Sequence, residues 1–189
     1  MTISNEDVAS MLSEGKVGIF PTDTAFGIGC RMDNVTSIER IYHIRNRPKE
    51  KALLVLASSI DMVKEYVDID TVTQEKLERF WPGGLTAILK CKKDKVHSVV
   101  RADGDTLAIR IPNHKELLAI IQLVGVPIVA PSANYSGMAT PTTFSQIDTS
   151  LFDKVDFVKD GVCTMEGVST IVDATVTPWK IVRQGVVNI

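Results

Sequence analysis

Short apolar runs along the chain alternate with segments in which apolar residues recur every three or four positions. The runs at 17–20, 52–57 and 127–130 are typical of buried strands. Further strands are predicted at 85–91, 106–111, 156–159, 169–174 and 180–184. Helical spacing predicts helices at 5–14, 34–44, 60–66, 72–80, between Asn113 and Gly125, and at 143–147. The elements interleave without a regular βαβ period, which predicts a mixed sheet with helices on its faces.

Polar residues predict where three of these helices begin. Ser4-x-x-Asp7, Thr71-x-x-Gln74 and Asn113-x-x-Glu116 have the spacing of a capping box or resemble it. Gly15 and Gly125 stand where the first and fifth helices should end.

Length and composition favour one globular domain. The chain has 189 residues, of which 44% are hydrophobic and 23% charged, as in proteins with a packed core. We therefore expect a single open, twisted, mixed α/β domain over residues 1–189.

Charge and residue usage exclude several classes of protein. The formal net charge of −2 argues against binding to nucleic acid through overall charge. No apolar stretch approaches the roughly 18 residues of a membrane span, and none follows Met1, so we expect a cytoplasmic protein without a membrane partner. Three separated cysteines fit small buried side chains, and three isolated histidines fit capping or surface roles. Neither GxxxxGK[ST] nor a complete GxGxxG is present.

Short polar side chains follow several predicted strands. Thr24 lies in Thr22-Asp23-Thr24, and Ser132 and Asn134 lie on one loop. Ser169 lies at the start of a further predicted strand. These groups can bind a small polar ligand, although ordinary Asx and Ser/Thr turns contain the same residue types.

Cations recur at the ends of elements. Arg45, Arg47, Lys49 and Lys51 lie within seven residues, which suits either a phosphate chain or a solvated helix end. Strand alternation places Arg110 on one face of a sheet, where it needs an anion. That anion is a structural Asp or Glu or a substrate carboxylate. Arg183 is another cation at a strand end.

The order and wording of the motifs are more specific than any single residue. The chain contains Pro21-Thr22-Asp23-Thr24-Ala25-Phe26-Gly27-Ile28-Gly29, Arg45-Asn46-Arg47-Pro48, Trp81-Pro82-Gly83-Gly84-Leu85-Thr86, Ala108-Ile109-Arg110-Ile111-Pro112, Ala130-Pro131-Ser132-Ala133-Asn134, Ser169-Thr170-Ile171-Val172-Asp173 and Arg183-Gln184-Gly185. From about residue 10 to 185 the chain resembles the YrdC/Sua5 family of threonylcarbamoyl-AMP synthases, in its short single-domain form.

The resemblance implies a large, positively charged cavity and a nucleotidyltransferase. The implied reaction makes L-threonylcarbamoyladenylate and pyrophosphate from L-threonine, bicarbonate and ATP, with Mg²⁺ bound mainly by phosphate oxygens. The product would pass to a transferase system that modifies tRNA. By resemblance, threonine is held by Thr24, Arg110 and Ser169, and ATP by Arg45, Arg47, Ser132, Asn134 and Arg183.

Three positions depart from the family pattern. Arg45 replaces the usual Lys, Phe26 a frequent Tyr, and Gly84 a common Pro. The first departure matters most, because a guanidinium fork and an ammonium bind phosphate differently. A YciO-like relative, an RNA-binding module and a carbamoyl-handling domain of the hydrogenase-maturation kind therefore stay as alternatives.

Overall fold

The computed structural model describes residues 3–165 and 167–189. Its helices are α1 (Asn5–Ser13), α2 (Val35–Ile44), α3 (Ile60–Tyr66), α4 (Thr71–Glu78), α5 (Ser98–Arg101) and α6 (Lys115–Val124). Its strands are β1 (Gly18–Pro21), β2 (Phe26–Arg31), β3 (Leu54–Leu56), β4 (Leu85–Lys90), β5 (Thr106–Arg110), β6 (Ile128–Val129), β7 (Phe157–Val158), β8 (Thr170–Asp173) and β9 (Lys180–Arg183). Two 3-10 segments occupy Phe144–Gln146 and Thr149–Lys154.

The strands form one sheet in the order β7-β1-β2-β6-β3-β5-β4-β8-β9. The pairs β1–β7, β3–β5 and β4–β8 are parallel, whereas the other neighbouring pairs are antiparallel. The predicted mixed α/β sheet is therefore confirmed. None of the helices in the described part of the chain has the length and apolarity that a bilayer crossing needs.

Strand β2 has no counterpart among the predicted strands, because glycines interrupt its apolar pattern. Gly29 is required there, because a Cβ would lie 2.3 Å from the Val129 carbonyl oxygen and 2.7 Å from Phe20 Cζ. The interruption that weakens the strand signal in the sequence thus allows β2 to pack tightly in the sheet.

Two predicted helix starts are wrong by one residue. Asp70, not Thr71, caps α4 by accepting from the Thr73 amide. His114, not Asn113, caps α6 through Nδ1, which accepts from Leu117 N at 3.2 Å. His97 caps α5 in the same way, so the capping role predicted for histidines is confirmed at these two positions. Ser4 caps α1 as predicted.

The two faces of the central strands differ, and that difference forms the site. Val55, Ile109 and Val172 are fully buried in the larger core cluster on one face. Their sequence neighbours Leu54, Ala108 and Ile171 are only partly buried and line a cavity. Strand alternation separates the two sets. Helices α1 and α6 contribute to a second core cluster that includes residues of β1, β3 and β6.

Candidate functional site

The cavity gathers polar groups from widely separated parts of the sequence. The residues of the predicted site that line it are Thr24, Arg45, Arg47, Arg110, Ser132, Ser169 and Arg183. Phe26, Ala108, Ala130, Pro131 and Ile171 give the same wall apolar surface. An amphipathic ligand with anionic groups matches this combination.

Arg110 meets a carboxylate of the protein itself. Its Nη1 donates to Asp23 Oδ1, while Asp23 Oδ2 accepts from the Asn113 amide at 2.9 Å. Both side chains are almost completely buried, with 2% and 0% exposure. Burial lowers the pKa of Arg110, and the charge of Asp23 opposes that shift. Of the two anions predicted for Arg110, the structural carboxylate is present and binds Nη1. Arg110 also lines the cavity.

The loop around Asp23 is shaped by the hydroxyl of Thr22. Thr22 Oγ1 donates to the Ala25 carbonyl at 2.7 Å and accepts from the Thr24 amide at 3.2 Å. This turn holds Thr24 at 3% exposure on the cavity wall. The same segment thus forms a turn and contributes one part of the cavity wall.

Arg45 is buried without a carboxylate partner in the described chain. Its Nε donates to the Asn134 carbonyl at 2.9 Å, and Nη2 donates to Asn134 Oδ1 at 3.1 Å and Ser132 Oγ at 3.4 Å. Nη1 has no hydrogen-bond partner among the described residues. Burial, with a smaller contribution from Arg47, lowers the pKa of Arg45 to about 10. Every hydrogen bond from the guanidinium to a described residue ends on a neutral oxygen, so these residues do not balance the charge.

Asn134 holds Arg45 instead of lining the cavity. Its amide nitrogen donates to the Met138 carbonyl at 2.6 Å, and its amide oxygen accepts from Ser132 Oγ at 2.6 Å. Asn134 is the one member of the predicted site that is not on the cavity wall.

Two further arginines reach the cavity from its sides. Arg47 donates to the Lys51 and Ala52 carbonyls, and Arg183 donates to the Ser169 carbonyl at 2.7 Å. Burial lowers the pKa of both guanidinium groups. Lys49, by contrast, pairs with Glu39 at 3.2 Å on the exposed surface. The cationic run thus divides between the cavity and solvent.

Thr86 is a site residue that was not among those predicted from the sequence. Thr86 is fully buried, lines the cavity and donates to Ser169 Oγ at 2.9 Å. The local signal for it is a polar side chain among the apolar residues Leu85, Ala87, Ile88 and Leu89 of β4.

The cavity is electropositive because its lining in the described chain contains four arginines and no Asp or Glu. An open mixed sheet with such a cavity defines an α/β protein with an electropositive cavity, whose charge is suited to an anionic small molecule. The chain belongs to the Sua5/YciO/YrdC family, since the family model described as "Telomere recombination" matches residues 10–185.

Curated relatives carry a common name. A threonylcarbamoyl-AMP synthase of Bacillus subtilis is 38% identical over 168 residues, which are 87% of this chain and 48% of that protein. A threonylcarbamoyl-AMP synthase of Vibrio parahaemolyticus is 32% identical over 184 residues, which are 95% of this chain and 98% of that protein. The chain thus spans about half the length of the first relative and nearly all of the second.

Solved structures share the fold. Pyrococcus abyssi Sua5 complexed with L-threonine superposes with a TM-score of 0.89 at 30% identity, covering 98% of this chain and 56% of that chain. Escherichia coli YciO superposes with a TM-score of 0.87 at 25% identity, covering 97% and 89%.

Proposed function

We propose that this protein is a nucleotidyltransferase that makes L-threonylcarbamoyl-AMP and pyrophosphate from L-threonine, bicarbonate and ATP. One observation carries the proposal: Arg45, Arg47 and Arg183 line one cavity and have no carboxylate partner in the described chain. A polyphosphate supplies the negative charge that these cations lack. The names of the relatives and the threonine complex of the Pyrococcus protein support the choice of substrates.

ATP is assigned to the arginine-rich part of the cavity. Arg45, Arg47 and Arg183 offset phosphate charge, and Ser132 offers a hydroxyl beside Arg45. Asn134 acts from behind Arg45 by holding its guanidinium. Apolar wall residues provide surface for the base.

Threonine is assigned to Thr24, Arg110 and Ser169. Asp23 occupies Nη1 of Arg110, whereas the one hydrogen bond of Nη2 to a described residue is a 3.5 Å contact with Thr22 Oγ1. The threonine carboxylate would meet this less occupied side of the guanidinium, next to Thr24.

The reaction needs positioning and charge neutralisation more than a protein nucleophile. The threonine amine and bicarbonate form an N-carboxylate with loss of water. An oxygen of that carboxylate forms a bond to the α-phosphorus of ATP. The bond from the α-phosphorus to the bridging oxygen breaks, and pyrophosphate leaves with the electron pair.

Mg²⁺ enters this proposal only as a companion of ATP. No group of three or more His, Cys, Asp or Glu side chains suited to a metal occurs in the described ranges. The residues present do not fit a protein-held metal, so phosphate oxygens and water would hold the ion. We also propose a cytoplasmic location and transfer of the product to a tRNA-modification system, as membership of this family implies.

The test is pyrophosphate release measured with each substrate omitted in turn. Release should require ATP, threonine and bicarbonate together. The Lys49→Ala variant should release pyrophosphate as the wild type does, because it removes a cation that lies on the exposed surface outside the cavity. AMP-forming turnover without threonine would contradict the proposal. Submicromolar binding of bare tRNA at physiological salt would instead support an RNA-binding module.

A further inference from the structure

The hydroxyl of Ser169 has contacts that fix what it can offer a ligand. Ser169 is 5% exposed and stands on the cavity wall immediately before β8. Thr86 on β4 donates to its Oγ at 2.9 Å, and Arg183 Nη2 donates to the same atom at 3.2 Å. A serine hydroxyl accepts two hydrogen bonds and donates one. Both accepting positions of Ser169 are therefore filled from the protein.

The hydroxyl proton of Ser169 is the group that this residue can still use for a hydrogen bond. No described residue accepts a hydrogen bond from Ser169 Oγ. A buried donor without a partner is costly, and water or a ligand in the cavity can supply the acceptor.

We infer that Thr86 is a positioning residue that makes the Ser169 hydroxyl a hydrogen-bond donor toward the ligand. The matching ligand group is an oxygen acceptor, such as a carboxylate, carbamate or phosphoryl oxygen. An ammonium group is rejected, because it would set two donors against each other. The identity of the ligand rests on the proposed function, whereas the hydroxyl pair does not.

The fold explains why Thr86 can do this. Strands β4 and β8 are parallel neighbours, with Leu85 opposite Thr170 and Thr86 opposite Ile171. This register brings Thr86 beside the residue that precedes β8. Thr86 itself is fully buried, so its hydroxyl does not exchange its partner for bulk water. Arg183 cannot take over this role, because its guanidinium is anchored mainly on the Ser169 carbonyl, at 2.7 and 3.2 Å.

Four variants and the wild type test the inference. They are Thr86→Val, which keeps the shape and removes the hydroxyl, Thr86→Ser, which restores it, Ser169→Ala, and the double variant Thr86→Val/Ser169→Ala. Thr106→Val is the matched control, because Thr106 lies on β5 of the same sheet and is not among the residues that line the cavity. If Thr86→Val does not fold, Thr86→Ala replaces it in the same cycle.

Urea unfolding without ligand tests the pair itself. The shifts in unfolding midpoint of Thr86→Val and Ser169→Ala should be non-additive, with the double variant losing less than the sum. Additive shifts would overturn the inference.

Calorimetric titration with ATP and with L-threonine tests the effect on the ligand. Thr86→Val should weaken at least one of the two by about 3- to 10-fold, the typical size of one hydrogen bond. Thr86→Ser should recover most of the loss, and the double variant should bind no more weakly than Ser169→Ala. An equal loss from Thr86→Val in both backgrounds, or no loss in either, would overturn the inference. A wild type that binds neither ligand would contradict the proposed function. The urea unfolding measurements would then still show whether Thr86 and Ser169 interact.

Discussion

Arg110 and Arg45 are both buried arginines of one cavity, but their surroundings differ. Arg110 is buried and pairs with Asp23, a fully buried carboxylate. Arg45 is 3% exposed, and among the described residues its guanidinium donates only to the neutral oxygens of Ser132 and Asn134. Thus one charge is balanced within the described chain and the other is not.

The comparison separates stability from binding. A buried ion pair becomes costly when one partner is removed, because the other charge stays buried and unpaired. A buried cation without a counter-charge costs free energy in the unliganded protein and favours binding of an anion. We therefore expect loss of the Asp23 carboxylate to act mainly on stability and changes at Arg45 to act mainly on nucleotide affinity.

The largest effect is expected from Asp23→Asn. It leaves the Arg110 guanidinium buried without its carboxylate, which typically costs about 3–5 kcal/mol of unfolding free energy. Urea denaturation measures the loss.

Asp33→Asn is the matched control for this change. Asp33 pairs with Arg31 at 2.6 Å, but their side chains are 50% and 25% exposed. Exposed pairs contribute roughly 0–1 kcal/mol. Equal losses in the two variants would show that burial does not decide the strength of these pairs.

Arg45→Ala should affect binding more than stability. Loss of a charge-assisted contact to phosphate should weaken ATP binding by about 10- to 100-fold, or roughly 1.4–2.8 kcal/mol. Arg45→Lys keeps the charge and should retain most of the affinity. Calorimetry and urea unfolding on the same samples check both statements. Full ATP affinity in a folded Arg45→Ala protein would remove Arg45 from the site.

Replacing both Ser132 and Asn134 with Ala should have a smaller effect on ATP affinity. These residues accept from the Arg45 guanidinium and so fix its orientation without supplying charge. We expect affinity to fall by about 5- to 10-fold, the size of one or two neutral contacts. A fluorescent ATP analogue measures the change. The same loss in an Arg45→Ala background would show that the loop binds ATP independently of Arg45.

The smallest effect on ligand affinity and stability at neutral pH is expected for the thiol of Cys163. Burial raises the pKa of Cys163 to about 11, the Asp23 charge adds to the shift, and Arg110 opposes it. Alkylation by iodoacetamide should be slow at pH 8 and accelerate about tenfold per pH unit until pH nears 11. Because the folded pKa lies above the ordinary 9.0, the stability linked to this proton is present below pH 9 and is lost as pH rises through about 11.

Asp23→Asn sharpens this last measurement. Removing the neighbouring negative charge should lower the pKa of Cys163 and speed its alkylation at a fixed pH. Cys30, which is fully buried, is an internal control in the same mass-spectrometric experiment. An unchanged rate at Cys163 would mean that Asp23 does not influence this thiol.

Much of the fold was predictable because its signals are local. Apolar runs located the strands β1, β3, β4 and β5 to within a few residues, and helical spacing did the same for the helices α1 and α2. Strand β2 was missed because Gly27 and Gly29 weaken the local signal, and the need for Gly29 arises from Phe20 and Val129 across the sheet. The predicted cap at Asn113 was wrong for a different reason. Asn113 and His114 are adjacent polar residues that can each cap a helix, and the backbone geometry selects His114.

The sequence by itself determined the kinds of groups available: hydroxyls after strands, cations at strand ends, and an arginine on one face of β5. Periodicity and chain order carry that information, because both are properties of neighbouring residues. Only the tertiary structure decided which groups meet. Asp23 and Arg110 are 87 residues apart, and Thr86 and Ser169 are 83 apart. Strand order and register bring these pairs together, and their burial decides whether a charge is balanced or left for a ligand.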